Sequence, residues 1–191
     1  MGFRQLSIVF LSILILSLAA LTVLRPASGS PRGQGSLQSL AEGDLKTALI
    51  RFERKACYGN CPAYTLTIHG DGGVEYVGGA HVKTSGSRAG RIEAKDFKAL
   101  LAAFDQAKFA TIADAYSAEK CACRQCTDMA SVVTELNAGA ASHKVNHYYG
   151  CACAPRALFD LESAIDKAAN SEQWTGDVSK AGPYGTTCFG S

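Results

Sequence analysis

Alternating apolar and polar positions begin at residue 50. Ile50 and Phe52 stand against Arg51 and Glu53, the spacing of a strand with one buried face, because successive strand side chains point to opposite sides. Tyr64, Leu66 and Ile68 repeat the pattern against Thr65, Thr67 and His69. Gly70, Asp71, Gly72 and Gly73 then supply a tight turn of residues that tolerate positive φ, and positions 74–77 return as the second strand of a hairpin. Farther on the period lengthens. Phe97, Leu100, Leu101, Phe104 and Ala107 fall on one face of a helix predicted over 94–107. Phe109, Ile112 and Tyr116 follow as a short apolar segment. A second hairpin is predicted over 132–149, turning at Asn137, Ala138 and Gly139. A second helix opens at Pro155, whose missing N–H costs nothing in a first turn, and buries Leu158, Leu161, Ile165 and Ala168.

Strands joined by short turns, with two helices among them, predict an α+β fold: an antiparallel sheet with two main helices packed on one face. Residues 48–175 form its single domain. Residues 26–47 hold Pro26, Ser28, Gly29, Ser30, Pro31, Gly33, Gly35 and Ser36, the composition of a flexible linker. Residues 176–191 read as an irregular tail.

Residues 6–24 are apolar, broken only by Ser and Thr, and carry no charge between Arg4 and Arg25. A cleaved signal peptide has an apolar stretch of about 7–15 residues and small residues at its cut, which Ala27, Ser28 and Gly29 could supply. A membrane anchor needs about 20 apolar residues, close to this length. Residues 1–25 are therefore expected to be a signal peptide or an N-terminal transmembrane helix, length favouring the anchor. Either would deliver the domain to the cell envelope, anchored in the inner membrane facing the periplasm, or periplasmic or secreted after cleavage. A buried core helix is disfavoured, since a helix apolar all round needs a large protein about it. No Cys follows the run closely, which removes lipid attachment through one.

Charge narrows the partners. The chain has 19 Lys and Arg against 17 Asp and Glu, and without Arg4 and Arg25 the two balance. A nucleic-acid binder needs a basic stripe, and none is present. The expected partners are the membrane, through the N-terminal segment, and another envelope protein.

Eight cysteines lie beyond the apolar run: Cys57, Cys61, Cys121, Cys123, Cys126, Cys151, Cys153 and Cys188. Outside the cytoplasm thiols oxidise, so an even count reads as a disulfide framework. Cys57 and Cys61 bracket a turn-forming Tyr58-Gly59-Asn60 and can close it. Cys121 with Cys123, and Cys151 with Cys153, are spaced so that an extended chain points each pair one way. Bridges between the two pairs would close loops of about 30 residues, each stabilising by about 3–4 kcal/mol in the chain-entropy argument. Cys126 and Cys188 are then left for each other by arithmetic alone. The competing reading is a zinc or copper(I) site built from Cys121, Cys123, Cys126, Cys151 and Cys153, with His147 as a conceivable mixed ligand. Only Cys123 and Cys126 have the spacing structural zinc prefers. A redox-active Cys123-Arg-Gln-Cys126 would want to open a helix, and that segment reads as a loop.

No catalytic constellation assembles by spacing. His143 and His147 are four apart on a predicted strand, a separation of about 13 Å that no single metal spans; surface histidines on a wet sheet face are expected. Residues 85–90 lack the Gly-x-Ser-x-Gly order of a nucleophile elbow. Gly70, Gly72 and Gly73 open no helix that could cradle phosphate. Asp71, Asp96, Asp105, Asp128 and Asp160 are scattered over turns and helices, as solvated or capping carboxylates are. No catalytic or cofactor-binding residue is assigned, and an enzyme is the less expected outcome.

The segment Cys57-Tyr-Gly-Asn-Cys61-Pro62-Ala-Tyr64 resembles the opening of a family of bacterial envelope domains of unknown function. The resemblance continues through Asp71-Gly72, Tyr76-Val77-Gly78, Phe104, Phe109, Tyr116, Thr127-Asp128, Ala154-Pro155 and Ile165-Asp166, covering residues 48–174. It implies an exported or lipid-anchored domain with no assigned activity. Cys121, Cys123, Cys126, Cys151, Cys153 and Cys188 depart from that pattern, and they keep the metal alternative open. The expectation is a disulfide-stabilised binding or structural domain of the envelope, with a metal-binding domain or a thiol–disulfide oxidoreductase as alternatives.

Overall fold

A computed structural model describes residues 37, 40, 42–117, 119–120, 127–151 and 153–177, which all fall in one compact unit, Gly35–Ser191. Helix α1 (Glu42–Thr47) leads into strands β1 (Leu49–Arg54), β2 (Tyr64–His69), β3 (Gly73–Gly78) and β4 (Gly86–Arg91). Helix α2 (Ala94–Gln106) and a 3-10 turn at Phe109–Thr111 follow, then β5 (Ala115–Tyr116), β6 (Ser131–Ala138) and β7 (Ala141–Tyr148). The order closes with α3 (Arg156–Ala168) and α4 (Glu172–Thr175).

The strands form one sheet in the order β4-β3-β2-β1-β6-β7-β5. Every pairing is antiparallel except that of the short β5 with β7. Register puts Ile50 opposite Ile68 and Leu136, and Phe52 opposite Leu66 and Thr134, so one parity of each strand shares one face. On that face Ile50, Phe52, Leu66, Ile68, Val74, Tyr76, Val132 and Val145 join one apolar cluster with Phe97, Leu101 and Phe104 of α2 and Leu158, Leu161 and Ile165 of α3. The opposite face is polar, with an ion pair of Lys144 and Glu135 at 3.4 Å, and His69 Nε2 lying 3.3 Å from Glu75 Oε1. The architecture is the α+β arrangement that the alternation predicts, both hairpins and both main helices included.

β4, α1 and β5 escape the hydrophobic pattern, each for lack of a buried stripe, and the four-residue α4 is too short to show one. The six residues of β4 are exposed or half-buried throughout, and a strand that buries nothing leaves no period to read. α1 lies where composition reads as a spacer. It comes so close to the sheet that a Cβ on Gly70 would stand 1.6 Å from the Leu45 carbonyl oxygen. β5 spans two residues. The apolar run at 6–24, most of the linker and positions 178–191 lie outside the described residues. Among the described residues no helix is long and apolar enough to cross a membrane.

Trp174 of α4 closes the β3–β4 end of the core. Its ring stacks on Tyr76 with centroids 5.0 Å apart, and a Cβ on Gly90 would meet it at 2.9 Å. Gly90 is thus the space Trp174 occupies. Gly90→Val should expel the indole and destabilise the fold by about 1–3 kcal/mol, the usual cost of overpacking. Trp174 is the only tryptophan of the chain, so a red-shifted emission and a lower urea midpoint would report both effects; an unchanged emission would refute the packing role.

Candidate functional site

Two features stand out where β1 ends: a clamped loop and a buried ion network. After Arg54 the chain leaves the sheet, and a disulfide joins Cys57 to Cys61, as the turn-forming triplet between them predicts. Cys61 is buried, whereas Tyr58 at the tip is 90 % exposed. Beside the loop lies a shallow groove of about 370 Å³, with Ala56 and Ala63 from either side of the bridge, Val77, Gly79 and Lys55 among its lining. Val77 is half exposed.

Arg54 continues the parity of Ile50 and Phe52, and so points into the core side of the sheet at only 4 % exposure. A guanidinium there must be paired and hydrogen-bonded, because leaving water costs several kcal/mol. Its Nε and Nη2 donate to Asp166 Oδ2 at 2.9 and 2.7 Å. Nε also reaches Tyr64 Oη at 3.0 Å, and Nη1 reaches Tyr149 Oη at 2.9 Å. Tyr64 donates to Asp166 Oδ1 at 2.5 Å, and Ser171 donates to the same oxygen at 2.8 Å. Tyr149 donates to Glu162 Oε2 at 2.7 Å, while Glu162 Oε1 lies 2.9 Å from His147 Nδ1. One connected network thereby joins β1, β2, the end of β7 and α3.

The network moves the proton affinities of Arg54, Tyr64 and Tyr149. Burial alone would lower the Arg54 pKa, but Asp166, with Tyr149, Tyr64 and Glu162, outweighs it and the group stays charged far above its ordinary range. Burial pushes Tyr64 up, Asp166 adds to the rise, and Arg54 opposes it. Tyr149 is likewise raised by burial, with Arg54 opposing and Glu162 adding.

His147 corrects the expectation of surface histidines. Its side chain is fully buried, ringed by Tyr116, Tyr149 and Phe159 at centroid distances of 6.1, 4.7 and 4.4 Å. His143 is half-buried, with Nε2 2.8 Å from the Ile112 carbonyl oxygen. Both share the parity of Val145, while Ser142, Lys144 and Asn146 take the wet face; that parity is the signal that places them inward. Among the described residues His147 Nε2 has no hydrogen-bond partner.

The remaining candidates divide. Cys151 and Cys153 are both disulfide-bonded, and not to each other, since their sulfurs stand 3.4 Å apart. A disulfide sulfur offers no thiolate to a metal. Cys121, Cys123, Cys126 and Cys188 lie outside the described residues. Among the described residues, no three His, Cys, Asp or Glu side chains are grouped to hold a metal ion. Asp71 caps its turn by accepting the Gly73 N–H at 2.8 Å, Asp105 accepts the Leu37 N–H at 3.1 Å, and Asp160 pairs with Arg156 at 2.9 Å. Arg54, Tyr64, Tyr149, Glu162 and Asp166 are the residues that motif spacing misses. Strand parity exposes Arg54, and the i, i+4 rows of α3 place Glu162 and Asp166 below Leu158.

Residues 48–169 match a family described as a domain of unknown function, DUF6438, and this chain belongs to that family. The matched span holds the disulfide loop and the network from Arg54 to Asp166. No curated protein matches the chain.

The raised tyrosines set an alkaline limit. Unfolded, Tyr64 and Tyr149 ionise near their ordinary value of 10.0; folded, they keep their protons. The folded state then binds more protons, so the stability present below pH 10 is lost as pH rises above it, at about 1.4 kcal/mol per pH unit for each tyrosine. Urea unfolding between about pH 9 and 12 should show this fall, and Tyr64→Phe should make it shallower. A slope unchanged by that substitution would contradict the assignment.

Proposed function

We propose that this chain is an exported, disulfide-stapled binding domain of the cell envelope, held at the membrane by its N-terminal segment or released from it by cleavage. Its partner is a protein or another envelope component. The oxidation of all four described cysteines, Cys57, Cys61, Cys151 and Cys153, carries this reading, because such bridges are rare in a reducing cytoplasm and persist outside it. The uncharged run at 6–24 supports it from the sequence. Binding is favoured over catalysis by where the polar groups are. The charged network is buried and occupied by its own members, whereas an aromatic ring on a clamped loop is held out to solvent. A rigid, exposed tyrosine supplies contact area at small entropic cost.

Intact mass spectrometry of the protein recovered from the envelope fraction tests this. With eight cysteines, the oxidised chain should weigh eight hydrogens less than the reduced one and carry no metal. Free thiols with stoichiometric zinc or copper would overturn the reading in favour of a metal domain. A single readily reduced pair with turnover of a disulfide substrate would overturn it in favour of an oxidoreductase.

A further inference from the structure

β4 is an edge of the sheet, and its outward groups can be identified. Ile92 N–H donates to the Gly72 carbonyl at 2.9 Å, and these two continue the β3–β4 register beyond Gly73 and Arg91. Antiparallel ladders alternate, so Gly90 with Val74, Arg88 with Tyr76 and Gly86 with Gly78 exchange the hydrogen bonds. The N–H and C=O groups of Ser87, Ala89 and Arg91 therefore face away from the sheet. The Arg88 guanidinium, itself exposed, covers the Ser87 carbonyl at 2.7 Å. Among the described residues no strand pairs with the rest. α4 stops short of them, its Trp174 and Thr175 carbonyls taking the N–H groups of Thr84 and Lys83.

Such a row is a template for another strand, and proteins usually blunt it with proline, a bulge or a very short strand. β4 has none of these: its six residues pair without interruption, and no proline or large apolar side chain stands in the way. What it has is charge of one sign. From residue 78 to 92 the chain carries Lys83, Arg88 and Arg91 and no Asp or Glu. Those cations oppose pairing with a second copy, since like charges on adjacent strands repel. The same cations favour a strand that brings carboxylates.

We propose that β4 is a docking edge that takes an acidic, extended segment of a partner protein by strand addition. The backbone groups of Ser87, Ala89 and Arg91 supply the ladder, and Lys83 and Arg88 select for carboxylates, the Arg91 guanidinium being bonded to the Asp71 carbonyl at 2.8 Å. This deepens the binding-domain reading and rests on it. The mass measurement does not depend on peptide binding, so the two fail separately.

The test uses the full-length oxidised chain and two synthetic peptides of about eight residues, a usual strand length, one alternating Val with Glu and the other Val with Lys. The Val–Glu peptide should bind, slow the amide exchange of Ser87, Ala89 and Arg91, and outcompete the Val–Lys peptide. Ala89→Pro removes an N–H that the native ladder does not use, and should weaken binding about tenfold or more. Lys83→Glu with Arg88→Glu should reverse the preference between peptides with the circular dichroism unchanged. Failure of both peptides to bind, equal binding of the two, or protection elsewhere on the domain would overturn the proposal. Binding seen only after removal of residues 178–191 would also overturn it, assigning the edge to the chain's own C-terminal segment.

Discussion

A guanidinium buried at the end of a central strand is the constraint around which the rest of this domain is arranged. Arg54 cannot leave the core face without breaking the parity that buries Ile50 and Phe52, and it cannot remain there alone. Its needs are met from far along the chain: Asp166 stands 112 residues away, Tyr149 95 and Tyr64 ten. Meeting them sets the height of α3 over the sheet, since Asp166 must reach Arg54 while Glu162, one turn earlier, reaches Tyr149 and His147. Apolar burial under Leu158, Leu161 and Ile165 holds that helix down; the ion network decides where along the sheet it stops.

Each polar member has two roles in this arrangement. Tyr64 packs 5.9 Å from Tyr76 and extends the aromatic row toward Trp174, while its hydroxyl belongs to the ion network. Tyr149 packs on Phe159 at 5.2 Å and bridges Arg54 to Glu162. Aromatic side chains suit such positions because they offer a large apolar body and one polar tip. The disulfide loop begins three residues beyond Arg54, so the exposed Tyr58 is carried on the strand whose last residue is most firmly tied. That ties the proposed binding loop to the buried network.

The parts of the fold legible in the sequence are those where hydrophobic burial repeats. Tyr64, Leu66 and Ile68 announce β2, and Phe97, Leu100, Leu101 and Phe104 announce α2, because each lies on a face the core must cover. β4 was illegible because Gly86-Ser-Arg-Ala-Gly-Arg91 buries no stripe of apolar side chains. The ion network was half legible. Parity marks Arg54, His143 and His147 as inward, but charge and polarity argue for solvent, and only the partners decide. Those partners lie on α3, beyond any local spacing rule, which is why a buried histidine read as a surface one. The Cys57–Cys61 bridge was legible because both ends and the turn between them are local.

An ion pair sealed in a core stabilises less than its contacts imply, because desolvation offsets most of the attraction; its removal in halves is what costs. The most direct measurement is therefore urea unfolding of Asp166→Asn beside Arg54→Met/Tyr64→Phe/Asp166→Leu, which removes the Arg54–Asp166 pair and the Tyr64 hydroxyl together. The single change should lose about 3–5 kcal/mol or fail to fold, because it strands the guanidinium. The triple change should recover most of that loss and fold. A single variant within about 1 kcal/mol of the parent, the range of an exposed pair, would contradict the central place given to Arg54.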